Sequence, residues 1–370
     1  MNHALTTHLV EPIARAAASG QALRIRGGGS KDFYGLRLDG DVLDTRGYSG
    51  IVAYEPTELV VTVRGGTPLA ELDAVLADKG QSLAFEPPHW GAATVGGMVA
   101  VGLSGPARAS VGAVRDFVLG AVVVNGRAEV LTFGGQVMKN VAGYDVSRIM
   151  AGAMGTLGVL AEVSLKVLPV APAQATLAFE MDQAQALAAL NRWGGQPLPL
   201  NASCWVSDQG RAMLYVRLRG AVAAVESACR SMGGQVLDDA TTAPDWVACR
   251  EQRLPFFTAP SPDACLWRVS VPQTTPVLPL AAQGPVDQLV EWHGALRWLW
   301  APAQVGAELR AAAQAVGGHA TLWRAPAGVD KAAHGVFAPL SGPQLAIHRR
   351  LKAEFDPAGI FNPGRLYPEF

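Results

Sequence analysis

The 370-residue sequence predicts an α+β protein: an α/β half over 1–170, a smaller α+β cap over 171–340, and a C-terminal helix with the segment after it over 341–370. Three observations lead there. Glycines cluster before Pro169, at Gly27 to Gly29, Gly65 and Gly66, Gly96 and Gly97, Gly102 to Gly112 and Gly152 to Gly158. Tryptophan has the opposite bias, with only Trp90 of the nine preceding Pro169. Short β-rich runs alternate with helical periodicities along the whole chain.

In the first half, strands are expected over 22–26, 51–54, 59–64, 117–124, 128–132 and 159–167, because these runs are rich in Val, Ile, Leu and Phe and are bounded by Gly, Pro or Asn. A helix over 9–19 stops at Gly20, and one over 68–79 has proline in its first turn and glycine at its end. In the second half the strand candidates are 173–180, 204–207, 213–217, 266–271, 296–300 and 320–323, and helices are expected over 183–193, 221–231, 304–316 and 343–355. The proline-rich stretch 255–285 reads as irregular connection.

Composition excludes several classes. Hydrophobic residues make up 49% and charged residues 16%, so the chain can build a core and is not a disordered, solvating polymer. Thirty basic against 31 acidic residues give a net charge of −1, which argues against nucleic acid and against direct attraction to an anionic membrane. Cys204, Cys229, Cys249 and Cys265 are widely spaced and form no C-x-x-C pair, so no disulfide framework, zinc site or iron–sulfur ligand set is written here. Glu11, Pro12 and Arg15 interrupt what would be the apolar core of a signal peptide, so a cytoplasmic location is expected. The longest uncharged run, 87–107, contains three prolines, a histidine and repeated glycines and suits a buried turn better than a membrane span.

Three loops carry the chemistry. Arg24-Ile25-Arg26-Gly27-Gly28-Gly29-Ser30-Lys31 follows a strand, and successive glycines let a backbone aim its N–H groups at one point, a nest suited to phosphate; a plain tight turn would look the same. Pro87 to Met98 runs into a helix start with Thr94 as N-cap, where small residues would admit a flat ligand and helix amides would favour an anion; close helix packing is the alternative. Gly152-Ala153-Met154-Gly155-Thr156-Leu157-Gly158-Val159 spaces its glycines by three ahead of a strand. G-x-G-x-x-G does not occur and no Gly-Lys dipeptide exists, so neither a Rossmann dinucleotide site nor a Walker loop is present.

Three such loops in this order resemble the FAD-binding (PCMH-type) domain of the vanillyl-alcohol oxidase and p-cresol methylhydroxylase family. Lys139-Asn140-Val141-Ala142-Gly143-Tyr144-Asp145 and the ending Phe355-Asp356-Pro357-Ala358-Gly359-Ile360-Phe361-Asn362-Pro363-Gly364-Arg365 are similar to its FAD-linked 2-hydroxyacid dehydrogenase branch. Phe33-Tyr34-Gly35 and Glu86-Pro87-Pro88 look most like the FAD-binding subunits of bacterial glycolate-oxidising complexes. The resemblance implies that the flavin diphosphate is wrapped by Arg26, Gly27, Gly28, Gly29, Ser30 and Lys31, then by Pro87, Thr94, Gly96 and Gly97 with Ser104, Gly105, Gly112 and Asp116, and that Gly152, Gly155, Thr156, Gly158, Val159 and Asn362 complete the site. Ser30 stands where covalent relatives often carry histidine, which implies non-covalent FAD.

The cap departs from that pattern. His293, His319, His334 and His348 are scattered with no H-x-H, so the closely spaced cluster of catalytic relatives is missing, no metal is implied and the base is not assigned. His319 and Arg324 are the candidates beside the flavin. The resemblance implies oxidation of a small 2-hydroxy acid, glycolate to glyoxylate, within a complex holding a larger FAD-linked sister subunit and an iron–sulfur subunit that passes electrons to quinone. Membrane association would come only through those partners. A free-standing D-lactate-type dehydrogenase and a non-catalytic flavin relay or scaffold are the alternatives.

Overall fold

The computed structural model describes residues 3–135, 145–279 and 288–370. The motif 139–145 lies outside them except for Asp145. The chain is α+β and divides into two compact units: residues 1–104, 113–170 and 339–370 form one, and 105–112 with 171–338 form the other.

The first unit starts with helical turns over His3–Leu5 and Thr6–Val10 that run into the helix Glu11–Ser19. Leu5, Leu9, Ile13 and Ala16 fall on one stripe at spacings of three and four and are buried. Gly20, in the left-handed region at φ 68°, stops the helix by donating back to Ala16 O. The stripe packs on Leu23 of β1 (Leu23–Arg26), Leu43 of β2 (Asp41–Asp44) and Phe361. β1 and β2 pair in parallel, and Phe361 bridges Leu23 in parallel from the far end of the sequence.

The larger sheet of this unit uses β3 (Ile51–Glu55), β4 (Val60–Arg64), β6 (Val118–Val124), β7 (Val130–Gly134) and β8 (Val159–Lys166) in the order β3-β4-β8-β6-β7, all antiparallel; β5 (Gln81–Ser82) pairs separately with β9 (Leu168–Pro169). β8 is central and buried along both faces, so it reads as a nearly continuous apolar run. The helix Val95–Val101 covers it.

The C-terminal helix Gly342–Phe355 delivers the return segment to this unit through a buried ion pair. Lys352 Nζ donates to Asp356 Oδ2 at 2.7 Å, to Thr156 O at 2.8 Å and to Phe361 O at 2.8 Å, so all three of its protons are used. Asp356 in turn accepts from the amides of Ile360 and Phe361. Burial lowers the Lys352 pKa, and the Asp356 carboxylate opposes that shift.

Among the described residues, the strands of the second unit form one antiparallel sheet of eight. β10 (Ala173–Glu180), helix Gln183–Gly194, β11 (Leu200–Asp208), β12 (Arg211–Gly220), helix Val222–Met232 and β13 (Gln235–Leu237) form a βαββαβ unit with strand order β13-β10-β12-β11. Its core is Leu177, Leu190, Trp193, Leu214, Val216, Leu218 and Val225. β14 (Cys265–Ser270), β15 (Gln288–Glu291), β16 (Leu296–Ala301) and β17 (His319–Arg324) extend the sheet as β15-β16-β14-β17, with a second core around Trp267, Leu299, Leu309 and Leu322. All four cysteines are free, and three are buried.

Removing the Lys352 ammonium would leave Asp356 charged and buried. Lys352→Met is expected to destabilise the chain by about 3 kcal/mol, read as a lower denaturant midpoint with an unchanged slope. An unaltered midpoint would show that the ion pair contributes nothing.

Candidate cofactor site

In the first unit the ends of β1 and β8, the loop after β1, the helix Val95–Val101 and the return segment surround an open cleft, about 870 Å³ of empty space with adjoining solvent included. Of the site residues expected from sequence, Arg26, Gly27, Gly28, Gly29, Ser30, Lys31, Thr94, Gly96, Gly97, Gly155, Gly158, Val159 and Asn362 line it. Pro87, Ser104, Gly105, Gly112, Asp116, Gly152 and Thr156 do not. Several of these have other tasks: Ser104 Oγ accepts from Val114 N, Asp116 caps the amide of Ala113, and Thr156 Oγ1 donates to Ala153 O. Gly105 and Gly112 belong to the other unit.

The first loop is held by its carbonyl side. Arg365 donates to Lys31 O at 3.1 Å, Asp32 O at 3.2 Å and Arg37 O at 3.1 Å, and Gly29 O accepts from the Asp32 amide. Among the described residues, the amides of Gly27, Gly28, Gly29 and Ser30 have no protein acceptor. These are four donors on one bend of half-buried residues, and N–H groups shut off from water are seldom left unmet. Asn362 ties the other side: its Oδ1 accepts from Ile25 N at 2.8 Å and its Nδ2 donates to Met154 O at 2.6 Å. β1 and the third loop are therefore stitched together by one side chain.

The second loop acts sterically. Its helix was expected to offer amides to an anion, but Val95 N donates to Thr67 O, Gly96 N to Gly65 O and Gly97 N to the Thr94 hydroxyl, so these three donors are already taken. What it contributes is small size and contact. A side chain at Gly28 would overlap the Ala92 carbonyl, and one at Gly27 would overlap the Thr94 hydroxyl. The loops also meet through Phe33, edge-on to Trp90 at 5.4 Å, with Lys31 Nζ over the Trp90 ring at 5.1 Å.

FAD joins a doubly charged diphosphate to apolar rings, and this cleft fits that chemistry. Its lining carries five cations, Arg24, Arg26, Lys31, Arg37 and Arg365, against the carboxylates Asp32 and Asp39. Arg26 is neutralised by Asp32 at 2.9 Å. Ile25, Ala100, Val101, Met154, Val159 and Leu160 supply apolar wall. Arg24, Arg37 and Arg365 were not picked out by sequence; the Arg24-Ile25-Arg26 alternation was the one available signal.

In the second unit His319 and Arg324 stand at opposite ends of β17, roughly 16 Å apart at about 3.3 Å per residue, so the fold does not bring them into one group. Arg324 Nη2 donates to Gln252 Oε1 at 2.7 Å, an oxygen shared with Trp323 Nε1. Desolvation lowers the His319 pKa, helped by Arg268 and Arg108. The histidine that sequence reasoning passed over is His293. It lies with Trp292 in the left-handed region, at φ 55° and 53°, and its ring spans Ser203 Oγ at 3.1 Å and Ser110 Oγ at 3.0 Å. Burial pushes its pKa down to about 4, so it is neutral at physiological pH and fixed at both nitrogens.

Two outcomes are expected. Gly28→Val should break the packing of the first two loops and abolish FAD uptake by the purified chain, whereas Gly194→Ala, which meets nothing within 4 Å, should leave it intact. Because His293 binds its proton more weakly folded than unfolded, stability is full above the ordinary histidine range and falls as pH drops from about 6.5 towards 4. Thermal midpoints across that window should show a shallower slope in His293→Asn; identical slopes would contradict the assignment.

Comparison with known proteins agrees with this geometry. The family description "FAD binding domain" matches residues 6–134 and "FAD linked oxidases, C-terminal domain" matches residues 328–366. The glycolate oxidase subunit GlcE of Escherichia coli K12 is 44% identical over 362 residues, covering 98% of this chain and 97% of that protein. A D-lactate dehydrogenase of Anaerostipes hadrus is 38% identical over 120 residues, 32% of this chain and 25% of that one, and the glycolate oxidase subunit GlcD of Bacillus subtilis is 30% identical over 127 residues, 34% and 27%. In fold, an alkyldihydroxyacetonephosphate synthase structure covers 96% of this chain and 74% of its own at 17% identity, with a TM-score of 0.66. The chain belongs to the FAD-linked oxidase family and is similar to the GlcE subunit within it over 98% of its residues.

Proposed function

We propose that this chain is the FAD-binding subunit of a glycolate oxidase, oxidising glycolate to glyoxylate together with a larger FAD-linked sister subunit and an iron–sulfur subunit. The observation that carries the reading is the pairing of end-to-end likeness to a glycolate oxidase subunit with a cleft whose first loop presents four unmet amides. Bound FAD would supply a two-electron acceptor for the hydride from C2 of a 2-hydroxy acid. The chain's own residues would then do three things. The amides of Gly27 to Ser30 would hold the diphosphate, each charge-assisted bond worth roughly 1.5–3 kcal/mol. Asn362 and Arg365 would keep the loops in register, and the apolar wall from Ile25 to Leu160 would exclude water from the bound rings.

The proton of the substrate hydroxyl needs a base, and this reading assigns that task to the sister subunit. His293 supports it: a ring with pKa about 4, anchored between two serines, is too weak a base near neutral pH. Membrane attachment would likewise come through partners, since no helix among the described residues is long and apolar enough to cross a bilayer.

The test is co-purification with the partner subunits, release of non-covalent FAD, and addition of glycolate. About one FAD per chain and bleaching only in the assembled complex is the expected result. Bleaching by the isolated chain would favour a stand-alone 2-hydroxyacid dehydrogenase, and a colourless chain unable to take up FAD would overturn the reading.

A further inference from the structure

Among the described residues of the cleft lining, the guanidiniums of Arg24 and Arg37 have no hydrogen bond or ion pair to the protein, and of the two Arg24 has its Nε shut off from solvent. Arg24 sits on β1 two residues before Arg26, with Leu23 between the strand and the core. Arg26 has Asp32, and Arg365 has three carbonyls. Among the described residues Arg24 has no ion pair, and its Nε is sealed from solvent without an acceptor. Its charge reaches Arg365, whose pKa is pushed down to about 10 chiefly by burial, with Asp32 opposing the shift and Arg24 adding to it. Two guanidiniums thus share one cleft wall, one of them uncompensated. Such an arrangement costs stability in the free chain, because two like charges on one wall repel and the sealed Nε–H has no acceptor.

We propose that Arg24 recognises the diphosphate of the cofactor electrostatically, so that the cleft binds the ADP portion of FAD in its own right and discriminates flavins by their phosphates. This deepens the FAD-binding reading and rests on it. Backbone amides alone would grip any phosphate placed on the first loop; a guanidinium beside them adds a charge-dependent preference for a dianion over an uncharged ribityl chain. The same residue is then a liability when the cleft is empty and an asset when it is filled.

The flavin-stripped full-length chain, with Arg24→Met and Arg24→Lys variants, tests this by titration with FAD, ADP and riboflavin at low and moderate salt. Arg24→Met should weaken FAD and ADP by about tenfold or more and leave riboflavin within about twofold, while Arg24→Lys recovers part of the loss. ADP affinity of the original chain should fall with salt more steeply than that of Arg24→Met. Without ligand, the thermal midpoint of Arg24→Met should equal or exceed that of the original chain, an effect opposite to that of a structural arginine. The proposal is overturned by equal weakening of FAD and riboflavin, by unchanged ADP affinity, or by a lower unliganded midpoint. If the original chain takes up no FAD, the cofactor reading itself fails; if it does and Arg24→Met binds FAD and ADP as well, only the role of Arg24 is lost.

Discussion

The grip of Arg365 on the carbonyls of Lys31, Asp32 and Arg37 fixes which side of the first loop is left to face the cleft. Those carbonyls and that of Gly29 are occupied, whereas among the described residues the amides of Gly27 to Ser30 have no protein acceptor. The arginine comes from the last residues of the sequence, and the same segment inserts Phe361 beside β1 and Asn362 between β1 and the third loop. Lys352 and Asp356 hold that segment in place from within the core. A cofactor site made of short, small-residue bends has little packing of its own, and here the rigidity is supplied from a distance along the chain.

Four unmet amides and the unpaired charges of Arg24 and Arg37, among the described residues, are unfavourable in an empty cleft, and this couples ligand binding to stability. A ligand that satisfies them stabilises the fold by mass action, the more so the tighter it binds. The loops themselves need glycine for mutual approach: Gly28 packs its α-carbon against the Ala92 carbonyl, and Gly27 lies on the Thr94 hydroxyl. The glycine pattern therefore encodes contact between two loops at least as much as room for a ligand.

Much of the fold was legible. Helices with a clean apolar stripe and glycine stops, such as Glu11–Ser19, and strands with dense β-branched runs, such as β8, lie close to where periodicity placed them. Elements with mixed local signals were not read. The helix Asp239–Arg250 contains Pro244 and two threonines, β2 is Asp-Val-Leu-Asp with one buried residue, and β5 and β9 pair over two residues each. In the site, the glycine loops announced themselves, but Arg24, Arg37 and Arg365 did not, because a cationic side chain carries no mark of what it will face. The exchange of roles at Val95–Val101, where protein carbonyls take the first amides, depends on Gly65 and Thr67, some thirty residues upstream in sequence, and only the fold brings them there.

Amide hydrogen exchange at Gly27, Gly28, Gly29 and Ser30 tests the central claim most directly. Lacking acceptors, these four should exchange rapidly in the flavin-free chain and slow markedly when FAD is bound, while the already paired amides of Val95, Gly96 and Gly97 change little. Exchange at the four amides that is equally fast with FAD bound, or equally slow without it, would contradict the account.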